Sequence, residues 1–251
     1  GFVPVGADLA TTFNGTFDGQ GHVIDGLTIN KTTTFSGLFG VTGLNSVIRN
    51  VGVTNVDLVV GSQAGAIAGI NFGGTIQNVY SSGSIQGSFL VGGLVGRNYG
   101  SIANSYSIAS VKAQSDAGGL AGQNQTSGTI TTSYASGSVS TLGIPAGGIA
   151  SSNLGTISKS YWDKDSTGQS AAVGTNNGTI TDVTGIDASN RYSQSTYANL
   201  DFANQWFMVD GYMRPILRSE YETTITNVHQ LQLVALNLSA NYVLGADVDA
   251  R

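Results

Sequence analysis

Apolar and polar positions along this chain recur on a beat far longer than a helix turn. Between Gly74 and Ile130 one pattern is written twice in succession. It reads Thr75-Ile76-Gln77-Asn78-Val79-Tyr80 followed by Gly92-Gly93-Leu94-Val95-Gly96-Arg97-Asn98, then Ser101-Ile102-Ala103-Asn104-Ser105-Tyr106 followed by Gly118-Gly119-Leu120-Ala121-Gly122-Gln123-Asn124. Followed outward, the isoleucine recurs at Ile48, Ile76, Ile102, Ile130, Ile157 and Ile180, in steps of 28, 26, 28, 27 and 23 residues. A glycine block centred on Leu38, Ile67, Leu94, Leu120 and Ile149 keeps the same phase. Two markers in one phase identify a repeat architecture. The segments lack apolar residues at i, i+3, i+4 and i+7 and are rich in β-branched side chains, which points to strands.

Three short strands per coil, joined by Gly, Asn and Ser turns, fit coils of 23 to 28 residues. Stacked coils pair strand upon strand in parallel, and five to six of them make a prism of roughly 25 to 30 Å at about 4.8 Å per rung. The predicted fold is therefore an all-β parallel β-helix. Stacking turns each repeated position into a column. The isoleucines form the core column, because each buried aliphatic side chain contributes about 1.5 to 3 kcal/mol. Asn71, Asn98, Asn124 and Asn153 form a second column, whose stacked amides can bond along the axis. Tyr80, Tyr106, Tyr134 and Tyr161 form a third, four residues after each isoleucine. Strict alternation places these rings on the isoleucine side, whereas a turn at Asn78 or Asn104 reverses them.

Four stretches follow. Residues 1–46 carry short strand signals between turn glycines, and 47–178 hold the regular coils. Residues 179–221 lose the beat and gain aromatics, and they read as the irregular finish that covers an end or marks a junction. Residues 222–251 open a new motif, with Leu231–Leu236 as the one helical run and Tyr242–Asp249 alternating like a strand.

Composition narrows the partners. Thirty-six glycines and a charged fraction of 10% accompany 40% apolar residues placed periodically, so the chain folds. A net charge of −5 offers no basic surface for nucleic acid. No apolar run reaches the roughly 18 residues of a membrane-crossing helix, so membrane insertion is not expected. Without cysteine there is no disulfide framework or thiolate metal site.

Gly-Gly-Leu-Val-Gly with Ile-x-Asn-Val-Tyr resembles the GLUG repeat of bacterial surface proteins. Phe17-Asp18-Gly19-Gln20-Gly21-His22-Val23-Ile24 resembles the coil that opens such regions, and Tyr161-Trp162-Asp163-Lys164-Asp165-Ser166-Thr167-Gly168-Gln169 resembles their ending. The combination is similar to filamentous-haemagglutinin-like adhesins of two-partner secretion. That resemblance implies a right-handed β-helix, a secreted or cell-surface setting, and repeats without catalytic residues. It also implies a tandem array: Gln230–Asp249 looks like the segment that precedes an opening such as Gly1–Gly6. Leu233 to Val248 would then dock on a neighbouring identical or similar unit.

Candidate chemistry is sparse. His22 and His229 sit in no nucleophile motif, and Asp57, Arg97, Lys112 and Asp116 occupy scattered phases, so no catalytic residue is assigned. Asp163 and Asp165 alternate before Gly168 like a calcium turn, yet lack the later bidentate Glu, and a polar turn is the simpler reading. No cofactor is expected beyond that calcium candidate. Hydroxyls flank the core isoleucine at Thr75, Ser101, Thr129, Thr156 and Thr179 and again at Thr131, Ser158 and Thr181, as on ice-binding solenoids, although ordinary β-propensity explains them as well. The leading expectation is a non-catalytic structural or adhesive module with host or surface glycans as further partners. A ligand-binding solenoid for ice or glycan is the alternative, and a carbohydrate-active enzyme the third.

Overall fold

The computed structural model describes residues 1–32 and 34–250. Short strands wind into about six coils that stack in parallel. One side is a six-stranded sheet running Phe39–Thr42, Ala68–Asn71, Val95–Asn98, Ala121–Asn124, Ala150–Asn153 and Val173–Asn176. The other sides form one continuous seventeen-stranded sheet, in which long strands such as Val47–Val60 and Thr75–Gly92 bend around the corners. At about 4.8 Å per rung, six rungs make a stack roughly 24 Å tall.

The repeat fixes the register. Ile48 pairs with Ile76, Ile76 with Ile102, Ile102 with Ile130, Ile130 with Ile157 and Ile157 with Ile180. The first five are buried to 1% or less. Ile180 departs from the expected core column: it lies in the last rung, has a coil on one side only, and stays 39% exposed. Leu38, Ile67, Leu94, Leu120 and Ile149 are buried opposite the isoleucines. The glycines before them allow close approach of coils, since a Cβ on Gly93 would strike the carbonyl oxygen of Gly119, and one on Gly119 that of Gly148.

The corner after each isoleucine settles the tyrosines. Asn50, Asn78, Asn104, Thr132, Lys159 and Asp182, each two residues on, have φ between 45° and 54°. This left-handed step reverses the alternation, so Tyr80, Tyr106, Tyr134 and Tyr161 leave the isoleucine core and face outward. They are nonetheless at most 4% exposed, because a second apolar cluster covers them with Ile186, Tyr197, Leu200, Trp206, Met208 and Leu217. Ser105, Ser133 and Ser160 turn inward at the same corner and return their hydroxyls to backbone carbonyls at 2.7 to 2.8 Å.

Regular pairing continues through Thr184–Ile186, and the chain then doubles back along the flank of the stack. The aromatic-rich finish therefore covers a side of the solenoid, where an end or a junction was expected. It contains an antiparallel pair, Trp206–Phe207 with Ile216–Leu217. Among the described residues two α-helices occur where one helix was expected. The first, α1 (Lys164–Thr167), is a single turn, too short to show a period; Asp163 caps its start and Gly168, at φ 70°, ends it. The second, α2 (Val228–Leu233), starts earlier than Leu231 because Asn227 accepts from the backbone of Gln230, and it tightens into a 3-10 turn over Val234–Leu236. The stretch read as a strand contributes only Val243–Leu244, paired in parallel with Thr224–Ile225.

Candidate functional site

The tyrosine column is the seam on which the returning segment docks. Tyr80 and Tyr106 stack with ring centres 5.1 Å apart and planes 6° off parallel, and Tyr106 and Tyr134 stack at 5.0 Å and 2°. Gly52 holds the same register one coil below Tyr80, and a Cβ there would strike the Tyr80 ring. Trp206 packs against Tyr106 and Tyr134, and Tyr197 against Tyr134 and Tyr161. Each of three phenol oxygens takes its partner from the docked segment: Tyr134 donates to the Pro215 carbonyl at 2.7 Å, Tyr161 accepts from the Asn199 amide at 2.9 Å, and Tyr106 donates to Glu220 at 3.0 Å. Burial pushes the Tyr106 and Tyr134 phenols far above their ordinary range, and the nearby Glu220 charge adds to the shift.

Glu220 is 2% exposed and carries three contacts. Its Oε1 accepts from Tyr106 and from the Leu217 amide, while Oε2 meets Nδ1 of His229 at 2.7 Å. Burial alone would lower the His229 pKa. The hydrogen bond and charge of Glu220 outweigh it and hold the imidazole above its usual value. This cluster joins α2 to the seam.

Asp163 anchors the other end of the docked segment. One oxygen caps α1 through the Asp165 and Ser166 amides, and the second meets Arg214 and, at 3.3 Å, Arg191. Burial opposes ionisation, but Arg214 leads the contacts that bring the Asp163 pKa below the ordinary carboxylate value. Asp165 is exposed and pairs with Arg191 at 2.8 Å. The two carboxylates read as a calcium turn are thus engaged by arginines and backbone amides.

The asparagine column is an amide ladder buried in the stack. Asn71 donates to Asn98, Asn98 to Asn124 and Asn124 to Asn153, at 2.8 to 2.9 Å. It extends one rung further than expected, to Asn176, which the short 23-residue coil carries. The Thr/Ser pairs align rung by rung as the spacing implies. His22 is exposed and is held through its backbone: its amide donates to the Gly19 carbonyl at 2.9 Å and its carbonyl accepts from the Gly52 amide at 3.2 Å. Glu220, Arg191 and Arg214 were not singled out as functional residues and His229 was set aside, because Tyr106 and Asp163, which give them a role, lie tens of residues away and the nearer Glu220–His229 pair falls in an aperiodic stretch.

With this geometry in place, comparison with known proteins identifies the repeats. The GLUG motif matches residues 87–112 and 113–140. The chain carries a GLUG-repeat region. Halomucin of Haloquadratum walsbyi is 41% identical over 157 residues, which are 62% of this chain and 2% of that protein. A protein of Evansella cellulosilytica, provisionally named a Gly-rich membrane protein, is 42% identical over 83 residues, 32% of this chain and 9% of its own. The chain thus spans a small fraction of these relatives. A crystal structure from Bacteroides ovatus, provisionally named an immunoglobulin A1 protease, superposes with a TM-score of 0.61 at 24% identity, over 81% of this chain and 77% of that one. That likeness shows the fold alone. Among the described residues no helix is long and apolar enough to cross a membrane.

Proposed function

We propose that this chain is a non-catalytic structural and adhesive module of a secreted or cell-surface polypeptide of the filamentous-haemagglutinin-like kind, set in series with similar units. The observation that carries the reading is a coil stack whose isoleucine rungs keep one register, together with a match at 41% identity, over 62% of this chain, to a stretch that makes up 2% of a relative. Such a module contributes length, and serial units multiply weak contacts.

Apolar side chains available to a neighbouring unit are exposed in both terminal stretches: Phe2, Val3 and Leu9 in one, and Leu238, Val243 and Leu244 in the other, with Val243 at 66% and Leu244 at 69%. Both stretches lie toward the opening coils, since Thr224–Ile225, the partner of Val243–Leu244, leads into Thr226 beside Val23 and Asp25. Residues 219 to 233 pack on their own coils, through Glu220 and His229, so only the part from Leu238 onward is presented to a neighbour.

The test is a polypeptide carrying two copies in tandem, imaged by electron microscopy beside a single copy. A rod of twice the length is expected, and two stacks lying side by side would overturn the serial reading. Antibody labelling of intact cells should detect the module at the surface. Cleavage of immunoglobulin A1 by the purified chain would overturn the non-catalytic reading.

A further inference from the structure

The docked segment does not lie flush against the coils. Between them is a cleft of about 720 Å³, with Tyr106 and Tyr134 on the coil side, Tyr192, Tyr212 and Arg214 across from them, and His229 on α2. A second cavity of about 440 Å³ shares Ile108, Val228 and His229 with the first, and adds Asp25, Asn55 and Asn227. We infer that these adjoining cavities form one binding cleft for a short neutral oligosaccharide. The inference deepens the adhesive part of the proposed function and rests on it.

Four features select that chemistry. The first is the pair of aromatic rings at the mouth: Tyr192 is 41% and Tyr212 83% exposed. A pyranose ring is apolar on its faces, where C–H bonds project, and polar around its edge. It therefore matches a tyrosine face bordered by hydrogen-bonding groups. The second is size, since cavities of roughly 300 to 1,000 Å³ with aromatic walls and a few fixed polar groups are the usual form of small-ligand sites.

The third feature is the prearranged polar rim. Asp25 accepts from Thr54 at 2.6 Å and from Asn55 at 2.8 Å, through the same carboxylate oxygen. Its orientation is thereby fixed, and its second oxygen is available to accept from a sugar hydroxyl, with the Asn227 amide on the same cavity wall. His229 spends Nδ1 on Glu220, which orients the ring that separates the two cavities. A purely apolar ligand would leave these groups desolvated and unpaired.

The fourth is charge. The cations on the walls already have partners: Arg214 is held by Asp163 and His229 by Glu220. Asp25 has no cation within ion-pair distance among the described residues, and the whole chain carries −5. An anionic ligand would meet an uncompensated carboxylate and, among the described residues, no unpaired lining cation, which disfavours uronic-acid or sulfated chains.

The test titrates the whole chain with cellotetraose, xylotetraose, mannotetraose and chitotetraose, and with tetragalacturonate as the anionic comparison, by calorimetry and saturation-transfer NMR. At least one neutral tetrasaccharide should bind with a Kd of about 10 mM or tighter, and 0.5 M NaCl should leave that Kd within about twofold. Tyr212→Ala and Asp25→Asn should each weaken binding at least about fivefold while the melting temperature stays that of the parent, since both side chains are exposed. Absence of binding by all four neutral probes, binding of tetragalacturonate alone, or unchanged affinity in both variants would overturn the inference. The rod length of the two-copy polypeptide is a separate readout, so failure of sugar binding and failure of serial stacking are distinguishable.

Discussion

His229 and Glu220 meet at 2.7 Å beside the Tyr80–Tyr106 stack, and because Glu220 also accepts from Tyr106, the pair ties α2 to a seam more than a hundred residues earlier in the chain. Because the imidazole pKa is raised by folding, its contribution is fully present below the unfolded histidine value near 6.5 and is lost as pH rises through the higher folded value. The melting temperature should therefore fall between about pH 6 and pH 9 by a few degrees. Glu220→Gln should flatten that slope and destabilise at pH 6. Tyr80 and Tyr106, the other titratable groups facing the imidazole, are pushed upward by burial and stay neutral across this window. A parent profile that is flat, or that rises with pH, would show that the pair does not latch the helix.

Ile130 and Ile180 occupy the same repeated position in different surroundings. Ile130→Asp buries an unpaired carboxylate at a site of 0% exposure and should cost on the order of 4 kcal/mol. Ile180→Asp, at the last rung, should cost less than about 1 kcal/mol. Urea denaturation of the two variants checks the difference, and equal losses would count against a stack that ends at that rung.

Asn124→Ala interrupts the amide ladder at its middle, leaving the Asn98 donor and the Asn153 acceptor without their partner. The expected loss is about 2 to 4 kcal/mol, more than for the exposed terminal residue Asn176. Hydrogen exchange should show the extra opening concentrated in the coils on either side of Asn124. Uniform loss of protection across all coils would mean the ladder acts globally.

Asp163→Ala removes the partner of two arginines together with the cap of α1, and the loss should be about 3 kcal/mol or more. The effect should be the same with calcium or with chelator, since both carboxylate oxygens are taken by arginine and backbone. A rise of many degrees in melting temperature on adding Ca²⁺ to the parent, abolished in this variant, would restore the calcium reading.

The isoleucine and asparagine columns were legible because each depends on one residue type at one spacing. The facing of the tyrosines was not, since it hinges on the sign of φ at Asn78 and Asn104. Asparagine tolerates that conformation but does not require it, and Thr132 and Lys159 carry no signal for it at all. The docked segment was visible only as a loss of rhythm. Trp206, Tyr197 and Leu217 have no period to reveal a partner, and the pairing of Glu220 with Tyr106 spans 114 residues. Missing one helix had a simpler cause: α1 is a single turn held by its cap, without an apolar face to count.

Every amide in the ladder donates in the same sense, from Asn71 through to Asn176, and Thr42 begins the series by donating to Asn71 at 3.0 Å. A coil that slipped by one residue would bring Phe72, Tyr99 or Gln125 to the rung in place of asparagine and break the bonds above and below it together. Aliphatic neighbours make no such distinction, because any branched side chain fills the column nearly as well as isoleucine. The core thus holds coils together while the amides select their alignment, since a misaligned rung loses its bonds on both sides. That division of labour lets a low-complexity, glycine-rich chain settle on one alignment among many near-equivalent ones.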